Sequence, residues 1–361
     1  MQQNYFAKIL VTGTEVLFNQ TVSVNDGMVK SIMPYGHDTS TDEIVKGQYI
    51  VPSFIDLQIY GAGGKLYSMY PSVHTLQTMY KDGLKNGTSH FLVTVATNTD
   101  EVVRNSIDAI RDYWKDGRPG LLGLHLEGPW INKTKRGAHI EAFIKTPVLS
   151  DIRSVLDYGR DVIKIITLAP EICNQEILEL IKSRGIIISA GHSDATFEQA
   201  MASFSCGVSA VTHLFNAMSP FHHRDIGLPG ATFEHPDVMS SIIVDGYHVD
   251  YSAVKIAKKL MQDRLFLITD AVTETREGPY QHTFQEGRYL ASGTLSGSAL
   301  TMLKAVKNCI EHCAIPTDEA FRMASLYPAK LLNIPGGTID VDQKASFLLL
   351  DENFEVLASC I

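Results

Sequence analysis

The stretch that decides the fold is residues 163–192, IKIITLAPEICNQEILELIKSRGIIISAGH. Ile163 to Leu168 is a nearly unbroken apolar run, and Ile177, Leu178, Leu180 and Ile181 then recur at helical spacing. Gly185 stops that helix, and Ile186 to Ser189 is apolar again, leading into His192. A strand covered on both faces reads as a Val/Ile/Leu run without alternation, and strand, helix, strand is the order of a parallel sheet. Thr196 and Gln199 fit a capping box at the start of the next helix. The same rhythm extends in both directions. Short apolar runs end near Tyr60, Thr97, Glu127, Ala169, His192, His213, Asp245 and Asp270. Eight such units between about Pro52 and Leu332 favour an α/β chain closed into a (β/α)8 TIM barrel, with an open parallel sheet as the alternative. In a barrel of this kind the chemistry sits at the C-terminal strand ends.

The two ends of the chain read differently. Ile9 to Val11, Thr21 to Val24 and Val29 to Ile32 are short β-rich pieces, with Asp26-Gly27 as a hairpin signal between the last two. Ser346 to Leu350 and Phe354 to Leu357 flank Asp351-Glu352-Asn353 in the same manner. The expected organisation is a small β-sandwich domain built from both termini, residues 1–51 and 335–361, around a barrel of residues 52–334. Two unrelated β decorations are the alternative.

With 361 residues, 45% of them hydrophobic and 20% charged, the chain has the composition of an ordinary globular protein. No apolar stretch approaches the roughly 20 residues of a membrane span, and Met1 to Leu10 lacks the pattern of a signal peptide. The expected compartment is the cytoplasm. Five scattered cysteines argue against a disulfide framework; Cys309 and Cys313, four apart, could share a helix face, but the expected role is buried apolar packing. A net charge of -9 without a basic run argues against nucleic acid or a membrane surface as partner.

Three strand ends supply Glu127, His192 and His213, a set that suits a divalent ion with a position left open for water or substrate. Individually each has a plainer reading: a turn-capping glutamate or a structural histidine. Asp270, after the run Leu265 to Thr269, is placed to act as a general base, and equally to cap a helix. Phe221-His222-His223-Arg224-Asp225 concentrates three potential cations in an acidic chain. Such a cluster suits a phosphate, or is a solvated basic loop.

Seven motifs, in order along the chain, carry a resemblance: Pro52-Ser53-Phe54-Ile55-Asp56, Leu126-Glu127-Gly128-Pro129-Trp130, Gly137-Ala138-His139, Gly191-His192-Ser193, Thr212-His213-Leu214-Phe215-Asn216-Ala217-Met218, Asp245-Gly246-Tyr247-His248 and Thr269-Asp270-Ala271. Together they resemble the N-acetylglucosamine-6-phosphate deacetylases of the amidohydrolase superfamily. The resemblance implies one divalent metal ion per subunit, with zinc the expected element, on Glu127, His192 and His213. It implies acid/base catalysis by Asp270, and His139 against the acetyl carbonyl. Substrate contacts are implied for Ala138, His139, Asn216, Ala217, Arg224, His248, Leu295, Ser296 and Gly297. Arg224 and His248 are the phosphate-binding positions, with a neighbouring subunit contributing in dimeric members. A homodimer acting on a small phosphosugar is therefore expected. The chain departs from many amidohydrolases in having Gln58-Ile59-Tyr60 where a His-x-His helps to bind a second metal. One branch of the deacetylases also has glutamine there and works with one metal, but Tyr60 leaves the metal count open. A preference for the galacto epimer, another amidohydrolase activity, and a sugar-phosphate sensor without turnover are the competing readings.

Overall fold

The computed structural model describes residues 2–36 and 44–361. Its central feature is a ring of eight parallel strands: Phe54–Ile59, Thr88–Ala96, Leu121–Glu127, Ile163–Leu168, Ile187–Ala190, Val208–Val211, Met239–Ile242 and Leu265–Leu267. Each is hydrogen-bonded to the next in chain order. The first and eighth strands meet just beyond their ends, where Asp270 N donates to Gln58 O and Tyr60 N donates to Ala271 O, both at 2.9 Å. The barrel expected from the apolar rhythm is thus present, and its closing seam runs through Gln58, Tyr60 and Asp270.

Local chemistry explains the units between strands. The helix Gln175–Ser183 buries Ile177, Leu178 and Ile181, and Gly185 follows it at φ 71°, a conformation that glycine adopts without steric cost. Thr196 and Gln199 form the expected capping box on the helix Phe197–Ser205. Inside the barrel, the apolar layers give way near the top to a polar one. His125 Nε2 lies 2.7 Å from Thr167 Oγ1, which is 2.7 Å from Thr212 Oγ1, itself 2.6 Å from Ser189 Oγ. Buried hydroxyls of this kind are inexpensive only when paired.

The termini form one six-stranded sheet in the order Val356–Cys360, Phe347–Leu350, Ile44–Pro52, Gln2–Val11, Val16–Asn25, Met28–Pro34. Asp26 and Gly27, at φ 49° and 73°, make the expected hairpin turn. Tyr5, Leu10, Val22, Ile50, Phe347 and Leu349 form its separate core. Only Ser53 separates the strand Ile44–Pro52 from the first barrel strand, and Ser53 Oγ lies 2.6 Å from both Ser89 Oγ and Ser346 Oγ. A small three-stranded sheet, Thr283–Gln285, Arg288–Ala291 and Thr294–Leu295, is inserted between Asp270 and the last helices. Sequence rhythm does not reveal it, because its strands are short and exposed or half-buried. Cys309 lies in the helix Met302–Glu311 and Cys313 beyond its end; both are fully buried, so packing rather than a shared helix face explains them. All five cysteines are free. Among the described residues, no helix is long and apolar enough to cross a membrane.

The seam contains a buried acid with a measurable signature. Asp56 is 1% exposed and accepts from the Thr269 hydroxyl and from the backbone N–H groups of Gln58 and Thr269. Burial outweighs those donors and pushes the carboxyl up to about 6. A carboxyl raised in the fold holds its proton more tightly there than when unfolded. Its stabilising contribution is therefore present below the unfolded value near 3.8 and is lost as pH rises through about 6. About two pKa units correspond to about 3 kcal/mol. Asp56→Asn keeps the acceptor oxygen and presents an amide to Thr269 Oγ1. Denaturant unfolding at pH 4 and pH 7 should show the variant gaining about 2 kcal/mol on the parent across that interval, most of the full effect. Parallel pH curves for the two proteins would contradict this assignment.

Candidate active site

The barrel ends expected to carry chemistry converge on one cavity of about 270 Å³. Its lining includes Glu127, Ala138, His139, His192, His213, Asn216, Ala217, His248, Asp270, Leu295, Ser296 and Gly297, so all but one of the expected site residues are brought together. Glu127 is the last residue of the third strand, whereas His192, His213 and Asp270 follow the fifth, sixth and eighth by two or three residues. These three have φ of 48°, 39° and 54°. Left-handed backbone at a non-glycine residue costs of order 1–3 kcal/mol and tends to cluster where side-chain direction matters. Asp270 caps no helix, since the next helix begins at Met302. The capping alternative is therefore not realised.

Glu127 Oε1 faces His213 Nε2 at 3.2 Å and His192 Nε2 at 3.4 Å, and the two Nε2 atoms are 3.1 Å apart. His192 Nδ1 lies 2.9 Å from the Lys135 carbonyl oxygen, which can only accept. Nδ1 therefore carries the proton and Nε2 presents a lone pair to the other two atoms. Three atoms able to act as ligands, at these separations, match the edges of a tetrahedral site with bonds of about 2.0–2.1 Å, whose edges are about 3.3 Å. The donor set and its spacing fit a divalent ion. Glu127, His139 and His192 also offer ligand atoms within 4.8 Å of one another. His139 Nε2, however, lies 3.1 Å from the other carboxylate oxygen, Oε2, and its Nδ1 is 2.7 Å from Thr97 Oγ1.

The electrostatics separate the two carboxylates. Burial works to raise Glu127, but the neighbouring imidazoles of His139, His192 and His213 outweigh it and hold its pKa well below the usual carboxylate range. Burial, and then the charges of Glu127, Asp56 and Asp245, push Asp270 well above that range. A cation on the neighbouring donors acts in the opposite direction on Asp270. Burial, and then His192, lower His139 to about 4, so its imidazole is neutral near pH 7.

Gln58 bridges the carboxylates: the two N–H groups of its Nε2 are shared among Asp270 Oδ1 at 2.7 Å, the Tyr60 hydroxyl at 2.8 Å and Glu127 Oε1 at 3.0 Å. The Tyr60 hydroxyl in turn donates to Glu127 Oε2. Residues that depart from His-x-His are thus built into the site as hydrogen-bond donors.

The rest of the lining has its own supports. Asp245 Oδ2 accepts from His248 Nδ1 at 2.7 Å, fixing that ring with Nε2 free. Gly297, at φ 62°, passes so close to the eighth strand that a Cβ there would lie 2.9 Å from Asp270 O. Arg224 is the exception. It lies with His222 and His223 on an exposed stretch where His222 and Asp225 exchange backbone hydrogen bonds at 2.9 and 3.0 Å. None of the three lines the cavity of this chain. Conversely, His282 and Tyr280 line the cavity although no sequence motif points to them. His282 is 3% exposed with Nε2 at 3.0 Å from Ser296 Oγ, and the Tyr280 hydroxyl donates to Thr97 O at 2.6 Å. They enter on the inserted segment after the eighth strand, which carries no apolar-run signal.

The profile of the Amidohydrolase family matches residues 49–359. The N-acetylglucosamine-6-phosphate deacetylase of Haemophilus influenzae is 33% identical, covering 98% of this chain and 96% of its own. The N-acetylgalactosamine-6-phosphate deacetylase of a Shewanella species is 31% identical over 98% of this chain and 92% of its own. Among solved structures, an N-acetylglucosamine-6-phosphate deacetylase from Pasteurella multocida superposes with a TM-score of 0.94 at 32% identity, covering 99% of this chain and 98% of its own. Likeness of this extent, in sequence and in backbone, makes the chain a member of the amidohydrolase family, within its N-acetylglucosamine-6-phosphate deacetylase group.

Proposed function

We propose that the chain removes the acetyl group of N-acetylglucosamine 6-phosphate, releasing acetate and glucosamine 6-phosphate. The observation that carries this reading is the donor triangle of Glu127, His192 and His213 in the same cavity as Asp270. A divalent ion on that triangle, with zinc the best match to its ligand types, supplies Lewis acidity and eases the deprotonation of water. Asp270 takes the proton from the attacking water and returns it to the sugar nitrogen as the carbon–nitrogen bond breaks. His139, neutral and presenting Nε2 to the cavity's acidic centre, donates to the carbonyl oxygen as it gains charge. Ala138, Asn216, Ala217 and the Leu295-Ser296-Gly297 loop surround the sugar. His248 and Arg224 take the phosphate, Arg224 reaching it across the interface of a homodimer, which accounts for its outward position in the single chain. The working unit is a cytoplasmic enzyme with a barrel of residues 52–334 and a β domain of residues 1–51 and 335–361. The Shewanella relative favours a second reading, in which the galacto epimer is preferred.

Acetate release from the two phosphosugar epimers and from unphosphorylated N-acetylglucosamine distinguishes these readings. The gluco phosphosugar should turn over fastest, and the unphosphorylated sugar should lose at least about tenfold in kcat/KM, as removal of a charge-assisted contact worth about 1.5–3 kcal/mol requires. No acetate from any of the three would remove the deacetylase reading.

Asp270→Asn should retain the metal stoichiometry of the parent by elemental analysis while kcat falls by about 10²–10⁴-fold. Near-parental turnover would assign the proton transfer to another group.

Arg224→Ala should raise KM for the phosphosugar by about tenfold or more and leave the slow reaction of the unphosphorylated sugar unchanged. Equal loss on both substrates would mean that the residue serves the fold.

A further inference from the structure

Glu127 has two carboxylate oxygens, and the structure treats them differently. Oε1 faces His192 Nε2 and His213 Nε2 at 3.4 and 3.2 Å. Oε2 points the other way and is taken up by His139 Nε2 at 3.1 Å and by the Tyr60 hydroxyl. Tyr60 comes from the end of the first strand, across the ring from the histidines, and its backbone N–H is tied to Ala271 O at the barrel seam. Its hydroxyl is fixed from a second side, since Gln58 Nε2 donates to it at 2.8 Å, leaving the O–H directed at Oε2. A phenylalanine would fill the same volume, so the hydroxyl has a role that packing alone does not require.

We propose that Tyr60 is a positioning residue for the metal ligand Glu127. By holding Oε2, its hydroxyl makes the carboxylate offer one oxygen, Oε1, to the cation. Without that hold, rotation of the carboxylate about its terminal bond brings Oε2 toward the cation as well. The coordination number then rises, and the open position needed by water or the acetyl group is lost. This inference rests on the reading that Glu127, His192 and His213 hold the ion.

The test uses the full-length protein exchanged with Co²⁺, whose visible absorption is intense in four-coordinate sites and weak at higher coordination numbers. Tyr60→Phe should weaken those bands relative to the parent. It should also change Co²⁺ affinity, measured by competition with a chromophoric chelator, by about 10–100-fold, the usual effect of removing a group that orients a ligand. Thermal unfolding of the metal-free proteins checks that the variant is folded, and water-proton relaxation by the bound Co²⁺ gives a second readout of the open position if the bands overlap. Glu127→Ala serves as the reference for the underlying reading. If it leaves Co²⁺ stoichiometry and affinity untouched, the triangle does not hold the ion and the reading falls. If it abolishes tight binding while Tyr60→Phe keeps the parental spectrum and affinity, the triangle stands and the role given to Tyr60 is overturned.

Discussion

Everything at the top of the barrel is arranged around one buried carboxylate. Glu127 is 1% exposed, and an ionised group in that position is tolerable only if its oxygens are fully engaged. The amide of Gln58, the phenol of Tyr60 and the imidazole of His139 reach its oxygens, and His192 and His213 face Oε1. They come from the first, fifth and sixth strand ends and from the loop after the third. The parallel barrel is what makes this possible, because it is the architecture in which strand ends far apart in sequence point to one small volume. The cost of burying charge and the ability to hold a cation are thus two sides of the same arrangement.

Much of this is legible in the residues. Continuous apolar runs announce strands buried on both faces, and each run leads to the polar residue at its end. The rhythm of the chain therefore groups Glu127, His192, His213 and Asp270, and the cavity gathers all four. Asp26-Gly27 and the Thr196–Gln199 box are readable because turns and caps depend on local chemistry. His139, Asn216 and the Leu295 loop are not readable from period or spacing, and come only with the resemblance to a family.

The remainder is hidden from sequence for physical reasons. His282 and Tyr280 lie on a segment whose strands run two to four residues, too short for alternation to register. The exposed place of Arg224, on a turn where His222 and Asp225 exchange backbone hydrogen bonds, is not encoded in a side-chain pattern. Gln58 and Tyr60 stand out as departures from His-x-His, yet their effect depends on two neighbours, Glu127 and Asp270, that lie far along the chain. Only the closed ring shows that they act as donors filling space between acids.

The location of the barrel seam carries one more implication. Gln58 and Asp270 are 212 positions apart, yet they share a hydrogen bond where the first strand meets the eighth. Long-range pairings of this kind carry a loop-closure penalty that must be met before they contribute. A nascent chain that has emerged just past the sixth strand already has Glu127, His192 and His213, but lacks Asp270, the partner that completes Gln58's bridge. The arrangement of the site therefore depends on closure of the ring, since Gln58 reaches Asp270 only where the first strand meets the eighth.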